Sequence, residues 1–526
     1  MKKCTRIFAG GLLLVTMLSS VACGGDNLPD NVVADKYKIS IACQTEMGEE
    51  EVLRKLKEEY EKKNSKVEIE IRTFSGEGFE QYMGKIAADQ SMSPNIIWTA
   101  DTYHSYWDEY FVDLRPYYES SAETDYSLYY ETMLDTASTN GQFKPTKNYT
   151  NPLGSFNREK DENSDGKEHY SEHSEYGLFY APRDYNKPAI LCNTNLFAKL
   201  DGIYETVYKR HENVTEMPEG YQSTTERLNQ IVIGEDWDTF YDLSDFVRGV
   251  AEKIMYVMNN GSKQESREWT QRAVFELYLQ WEPTYTTVMN ALNIDLISDG
   301  GLLNLAANEE QLQALHNAFT PSEDAELAAI MNAGDITFAS GNLFMIVCSR
   351  PVVAGYNNTF KSQGLENCLE AIPFPVANIA AGNSGYAISS IWEGKGMTVD
   401  GEYRSYTDLS WDFIKFIITQ EGQEIAGATG LNIPVLKELR DLDTAAWRNV
   451  SALGNMDHNA WVAGGELKQD TYNIFNADKR NAFRNIVNTF FSNLLKTNYN
   501  EGSLESLINV TTNQYNLNGP ANQLRR

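Results

Sequence analysis

Residues 161–172 read DENSDGKEHYSE, and their spacing is that of a cation site. Asp161, Asn163 and Asp165 stand at the first, third and fifth places, Gly166 at the sixth and Glu172 at the twelfth. A calcium loop needs oxygen ligands at those places and a glycine for the sharp turn. Lys167 supplies its carbonyl at the seventh place, and His169 at the ninth acts through a water. The expected cofactor is therefore one structural Ca2+ that pins the loop without touching a ligand. Two features depart from the pattern. No helical periodicity flanks the loop, and Glu168 stands where an aliphatic residue usually packs. An acidic surface turn remains the alternative.

The rest of the chain sets the compartment. MKKCTRIFAGGLLLVTMLSSVACGGDN has Lys2, Lys3 and Arg6, then an apolar run from Ile7 to Leu18, then small residues before Cys23. That run is too short for a resident membrane helix and reads as an export signal. Val21, Ala22 and Cys23 resemble the lipobox of bacterial lipoproteins, although Ser20 stands where leucine is usual. The resemblance implies lipidation at Cys23, after removal of residues 1–22, and a chain anchored on the outer face of the cell membrane. Loss of three basic residues takes the formal net charge from −29 to −32. So acidic a surface repels phosphate backbones, and no nucleic-acid partner is expected. Cys43, Cys192, Cys348 and Cys368 lie in apolar runs without CxxC spacing and read as buried thiols. HExxH, GxSxG and GxxxxGKS motifs are all missing, so no enzyme activity is expected.

The elements that must hold these residues follow from periodicity. After a tether over 23–35, YKISIACQTE reads as a buried strand. EEEVLRKLKEEYEKKN follows as a helix with Val52, Leu53, Leu56 and Tyr60 on one face. KVEIEIRTF alternates as a strand, a helix follows over 79–88, and NIIWTA is an apolar strand. Strand–helix alternation of this kind predicts an α/β layer with a largely parallel sheet. Ligands bind beyond the carboxyl ends of such strands. Here those loops are QTEMG with Thr45 and Glu46, SGEG, and ADTY. Further on, WDTFYDLSDFVRGVAEKIMYVM and EWTQRAVFELYLQW read as helices, GYAISS as a strand, and DLSWDFIKFIITQEGQEIAGATG as one helix ending at Gly430.

Several landmarks in this order resemble the extracellular solute-binding proteins of ABC importers, the family-1 branch that includes maltose-binding protein. They are KISIACQTE, SPNIIWTADTYHSYWDEYFVDLRPY, LFYAPRDYNKPAILCNTNLF, WDTFYDLSDF, FASGNLFMIVCSRP, EAIPFPV, GNSGYAIS and WDFIKFIITQEGQEIAGATGLNIPVLKEL, spread over residues 36–440. The resemblance implies a type II periplasmic-binding-protein-like fold, with two α/β lobes, each a mainly parallel sheet flanked by helices, and a ligand cleft between them. Lobe 1 would hold 36–184 and 375–440, and lobe 2 would hold 192–370 and 441–526. Hinge strands would lie near 185–191 and 371–374, with insertions at 138–176 and 204–232. Some polysaccharide-binding members carry a lone calcium loop in a similar insertion.

The implied function is capture of a sugar or oligosaccharide and its delivery to ABC permease subunits, by a chain that is a monomer. A pyranose has apolar faces that pack on aromatic rings and a hydroxyl edge that needs donors and acceptors. Trp98, Tyr103 and Trp107 offer faces beside Asp101, an acceptor in a loop where family members place a Trp and an Asp. Arg183, Asp184 and Tyr185 lie at the crossing strand. Trp281, Tyr285 and Arg350 are expected from lobe 2, and Asn383, Ser384 and Tyr386 from lobe 1. The alternatives are a binding protein for a peptide or polyamine, and a surface glycosidase working through paired carboxylates.

Overall fold

The computed structural model describes residues 30–45, 48–100, 110–138, 143–150, 153, 177–232, 239–298, 302–321, 324–454, 456–467, 477–495 and 501–518. Lobe 1 starts with β1 (Asn31–Val33) and β2 (Tyr37–Gln44), the latter buried on both faces from Ile39 to Cys43. The helix Glu49–Lys63 packs Val52, Leu53, Leu56 and Tyr60 on the sheet. Glu49, Glu50 and Glu51 lie in its first turn and Lys62 and Lys63 in its last, matching the helix dipole. Then come β3 (Val67–Phe74), the helix Gly76–Ala88 capped by Ser75, and β4 (Ile96–Ala100). β3, β2 and β4 run parallel in that order, as the alternation implies.

The chain leaves lobe 1 through β5 (Ala181–Pro182) and enters lobe 2 through β6 (Ala189–Asn193). In lobe 2, β7 (Ala273–Glu276), β8 (Leu343–Cys348) and β9 (Leu369–Ile372) complete a sheet ordered β7-β8-β6-β9. The chain returns by β10 (Asn378–Ala380) to β11 (Ser384–Ile388), which lies between β4 and β5. A hairpin, β12 (Gly396–Val399) and β13 (Glu402–Ser405), joins β1, and β14 (Gly465–Leu467) pairs with β10. Both large sheets are mixed rather than mainly parallel. The strands that cross between lobes enter each sheet antiparallel, β11 against β4 and β6 against β8.

Two other expectations change. EWTQRAVFELYLQW is not one helix: the helix Lys263–Trp269 ends, and β7 follows from Ala273. Ala273, Val274 and Phe275 are buried beside β8, and a short apolar run of this kind suits a strand as well as a helix. The stretch ending at Gly430 is two helices, Tyr406–Ile418 and Gln420–Gly427, separated at Thr419. Gly422 permits that junction, because a Cβ there would collide with the Phe416 carbonyl.

The lobe-1 core centres on Ile39, Ile41, Leu56, Ile97 and Phe413. Lobe 2 has a core on each face of its sheet. One is filled by the helices Thr194–His211, Phe240–Asn260 and Glu309–Phe319. The other contains Phe360, Trp447 and Trp461. Cys43, Cys192, Cys348 and Cys368 are buried free thiols. Among the described residues, no helix is long and apolar enough to cross a membrane.

Candidate ligand-binding site

Three segments cross between the lobes and are stitched to one another. The Tyr185 amide donates to the Ile433 carbonyl at 2.9 Å, and Asn186 and Gly382 exchange bonds of 3.0 and 2.8 Å. The carboxyl ends of strands from both sheets converge on this junction. Beyond β2, Gly48 (φ 73°) lets the loop approach Leu431, which a Cβ would strike. Beyond β8, Arg350 reaches the carbonyls of Gly430 and Asn432. The strand-end loops of the two lobes therefore face a common region beside the crossing segments, where a ligand touching both would lie.

Many polar residues expected in the site hold this junction instead. Arg183 is 4% exposed and forms an ion pair with Glu49, itself 3% exposed. Tyr386, fully buried, also donates to Glu49. Burial pushes the Glu49 carboxyl above its ordinary range, against the opposing pull of Arg183 and Tyr386. Burial acts most strongly on Arg183 and lowers its pKa, but Glu49, Tyr386, Asp184 and Cys43 together outweigh it and the net shift is upward. Asp184 accepts from the Ser384 amide at 2.6 Å, the Ser384 hydroxyl at 3.0 Å and Asn432 at 3.2 Å. The Tyr185 hydroxyl donates to Glu466 at 3.0 Å. Arg440 pairs with Glu466 at 2.7 Å and lies 3.4 and 4.6 Å from the ring centres of Tyr130 and Tyr185. Lys187 donates to the carbonyls of Ala463, Gly464 and Gly465.

The corrections follow from these bonds. Arg350 is fully buried, donating to Gly430, Asn432 and Trp447 and lying over the Trp447 ring, so it anchors the crossing segment and is not offered to a ligand. Tyr185 and Tyr386 spend their hydroxyls internally. Asn383 is 4% exposed and bonded to Tyr180 and Met133. Trp98 is no platform: its ring packs edge-on against Phe79 at 5.6 Å in the lobe-1 core. Tyr285 stacks on Phe491 at 5.0 Å in the lobe-2 core. Arg183 retains one feature of a site residue, because its Nε and Nη1 have no hydrogen-bond partner among the described residues. Thr45 is exposed, with its amide bonded to the Phe74 carbonyl. Glu46, Asp101, Tyr103 and Trp107 lie outside the described residues, as do Cys23 and the loop with Asp161, Asn163, Asp165, Lys167 and Glu172. No cluster of metal-ligating side chains occurs among the described residues.

Lobe 2 presents a group that includes one expected residue. Trp281, half-buried, caps the helix Glu282–Ala291, and its ring centre lies 6.4 Å from that of Tyr278. Tyr278 is 39% exposed and held at φ 52°, a left-handed conformation that costs an aromatic residue energy and clusters at functional sites. Glu276, at the end of β7, is half-buried, and burial raises its pKa. Tyr356 stands close by, its hydroxyl pushed up to about 12 by burial and by Cys348, Glu276 and Tyr278. One signal in the sequence marks this group. In FELYLQ, the apolar Phe275, Leu277 and Leu279 alternate with Glu276, Tyr278 and Gln280, and the former are buried while the latter are not.

No family model and no curated protein matches the sequence. Solved structures do. The sugar-binding protein MalE from Xanthomonas citri superposes with a TM-score of 0.56 at 11% identity, over 91% of this chain and 98% of that one. A sugar transporter protein of Rhizobium etli in an open conformation gives 0.55 at 14%, over 91% and 99%. The GacH receptor of Streptomyces glaucescens, solved unliganded and with acarbose, gives 0.53 at 12%, over 91% and 98%. The chain has the two-lobe fold of the sugar-binding ABC solute-binding proteins. At such identities the shared property is the fold, and the ligand must be argued from this chain's own residues.

Proposed function

We propose that this chain is an exported, lipid-anchored solute-binding protein that holds a sugar or oligosaccharide between its lobes and delivers it to an ABC permease. The observation that carries the reading is the convergence of strand ends from both lobes beside the crossing segments, with Tyr278 and Trp281 on the lobe-2 side. Ring faces of that kind suit the apolar face of a pyranose, and Glu276 suits its hydroxyls. Support comes also from relatives in fold: the names of three solved neighbours specify maltose, acarbose and cycloalternan.

Ligand would close the lobes by population shift, since contacts from both sides exist together only in the closed form. A thermal-shift screen over an oligosaccharide panel, followed by small-angle scattering with the best binder, tests this. Raised melting temperature and a smaller radius of gyration are expected. Stabilisation by peptides or polyamines and by no sugar would overturn the sugar reading, and cleavage of the oligosaccharides would replace binding with hydrolysis. Anchoring through Cys23 is tested separately: lipid label should enter the wild-type chain and not Cys23→Ser.

A further inference from the structure

Glu276 is unusual among the acidic groups near the junction. Glu49 is paired with Arg183, Glu466 with Arg440, and Asp184 accepts three bonds. Glu276 has no ion-pair or hydrogen-bond partner among the described residues, and burial is the one influence on its titration. It is the last residue of β7, on the side of the sheet shared with its β8 register partner Ile346 and with Cys348. The charge of Glu276 reaches the hydroxyls of Tyr278 and Tyr356, and the Trp281 ring lies 6.4 Å from that of Tyr278. A half-buried carboxylate without a cation needs donors from elsewhere.

We propose that Glu276 selects the charge class of the ligand: it accepts hydroxyls of an uncharged oligosaccharide and excludes sugars that carry a carboxylate. This rests on the sugar-binding reading above. A neutral sugar brings O–H donors to both carboxylate oxygens while its apolar face lies on a neighbouring ring. A uronic acid brings a second negative charge and has lost a donor at the oxidised carbon. Two unit charges about 6 Å apart, at an effective dielectric constant of about 20, repel enough to weaken binding about a hundredfold.

The test uses the mature protein and a matched pair of probes. One is the best neutral oligosaccharide from the screen, and the other is the same molecule with its primary alcohols oxidised to carboxylates. Calorimetry on wild type should show the oxidised probe about a hundredfold weaker, and Glu276→Gln should shrink that gap below about tenfold. In wild type the gap should also narrow as salt is raised, which keeps the proposal testable if the variant folds poorly. A gap that neither Glu276→Gln nor salt changes, or a wild type that prefers the oxidised probe, overturns the assignment to Glu276 and leaves the sugar reading intact. Failure of wild type to bind any sugar, neutral or oxidised, overturns the sugar reading and this inference with it.

Discussion

Arg183→Met should destabilise the protein strongly, and more so at high pH. Arg183 and Glu49 are both almost wholly buried and paired, with Tyr386 as the second donor to Glu49. Removing one partner of such a pair leaves an uncompensated buried charge, which costs about 3–5 kcal/mol. At about 2–4 °C per kcal/mol for a unit of this size, the lobe-1 transition should fall by roughly 6–20 °C at pH 8. Folding raises the Glu49 pKa above its ordinary 4.5, mainly by burial, and Arg183 opposes that rise. Without the arginine the native pKa climbs further, so the native state binds a proton that the unfolded chain has released. Stability in the variant is then retained below about pH 4.5 and lost as pH rises through the raised native value. Thermal unfolding followed by circular dichroism at pH 5 and pH 8 should therefore show a smaller deficit at pH 5. Glu49→Gln in the Arg183→Met background should recover part of the loss at pH 8, because the charge left behind is gone. A single variant melting within 2 °C (about 1 kcal/mol) of wild type at pH 8 would refute the buried-pair argument.

Other expectations are more local. Tyr278→Gly relieves a left-handed tyrosine and should raise stability by about 1 kcal/mol while weakening sugar affinity, read by melting and calorimetry; a loss of both stability and affinity would mean the conformation is not strained. His458 is pushed down to about 4 by burial and by Arg350 and Arg448, so the unfolded chain takes up its proton first on acidification. Its contribution is present above about pH 6.5 and lost toward pH 4, up to about 3 kcal/mol, and His458→Gln should flatten that limb of the stability profile. The loop 161–172 should make the melting temperature fall with chelator and recover with calcium but not sodium; Glu172→Gln should abolish the response and leave sugar affinity unchanged. Binding of calcium to the folded form at a hundredfold excess over the dissociation constant would stabilise it by about 2.7 kcal/mol.

How much of this was legible in the sequence depends on the range of the interaction. The lobe-1 strands and helices obey local periodicity: β2, the helix Glu49–Lys63, β3 and β4 fall where alternation and a 3.6-residue repeat place them. β7 was hidden because AVFELYL reads as apolar at either period, and burial beside β8, some 70 residues away, decides it. The antiparallel crossing strands were hidden for a similar reason, since strand direction is a property of the return path. Polar residues at strand ends are the hardest case. In sequence, an arginine aimed at a ligand and one aimed at a buried glutamate look alike.

That ambiguity explains why Arg183, Tyr185, Arg350 and Tyr386 were expected in the cleft and are found holding its frame. Each finds its partner across a long stretch of chain: Arg183 on Glu49, Tyr185 on Glu466, Arg350 on Gly430 and Asn432, Tyr386 on Glu49. A hinge needs such groups. The junction is held by directional bonds among three short crossing segments, together with an apolar cluster in which Met133 of lobe 1 joins Ala381, Ile433 and lobe-2 residues such as Leu191 and Trp447. Arg440, packed against the rings of Tyr130 and Tyr185 and tied to Glu466, joins a lobe-1 residue to the first crossing segment and to the strand beside β10. With those side chains committed to the junction, the proposed recognition falls to groups standing on the lobe faces. On lobe 2 these are Glu276, Tyr278 and Trp281. Their partial exposure, the strained tyrosine and the carboxylate without a partner are what a surface shaped for a ligand would show, and a surface shaped for internal packing would not.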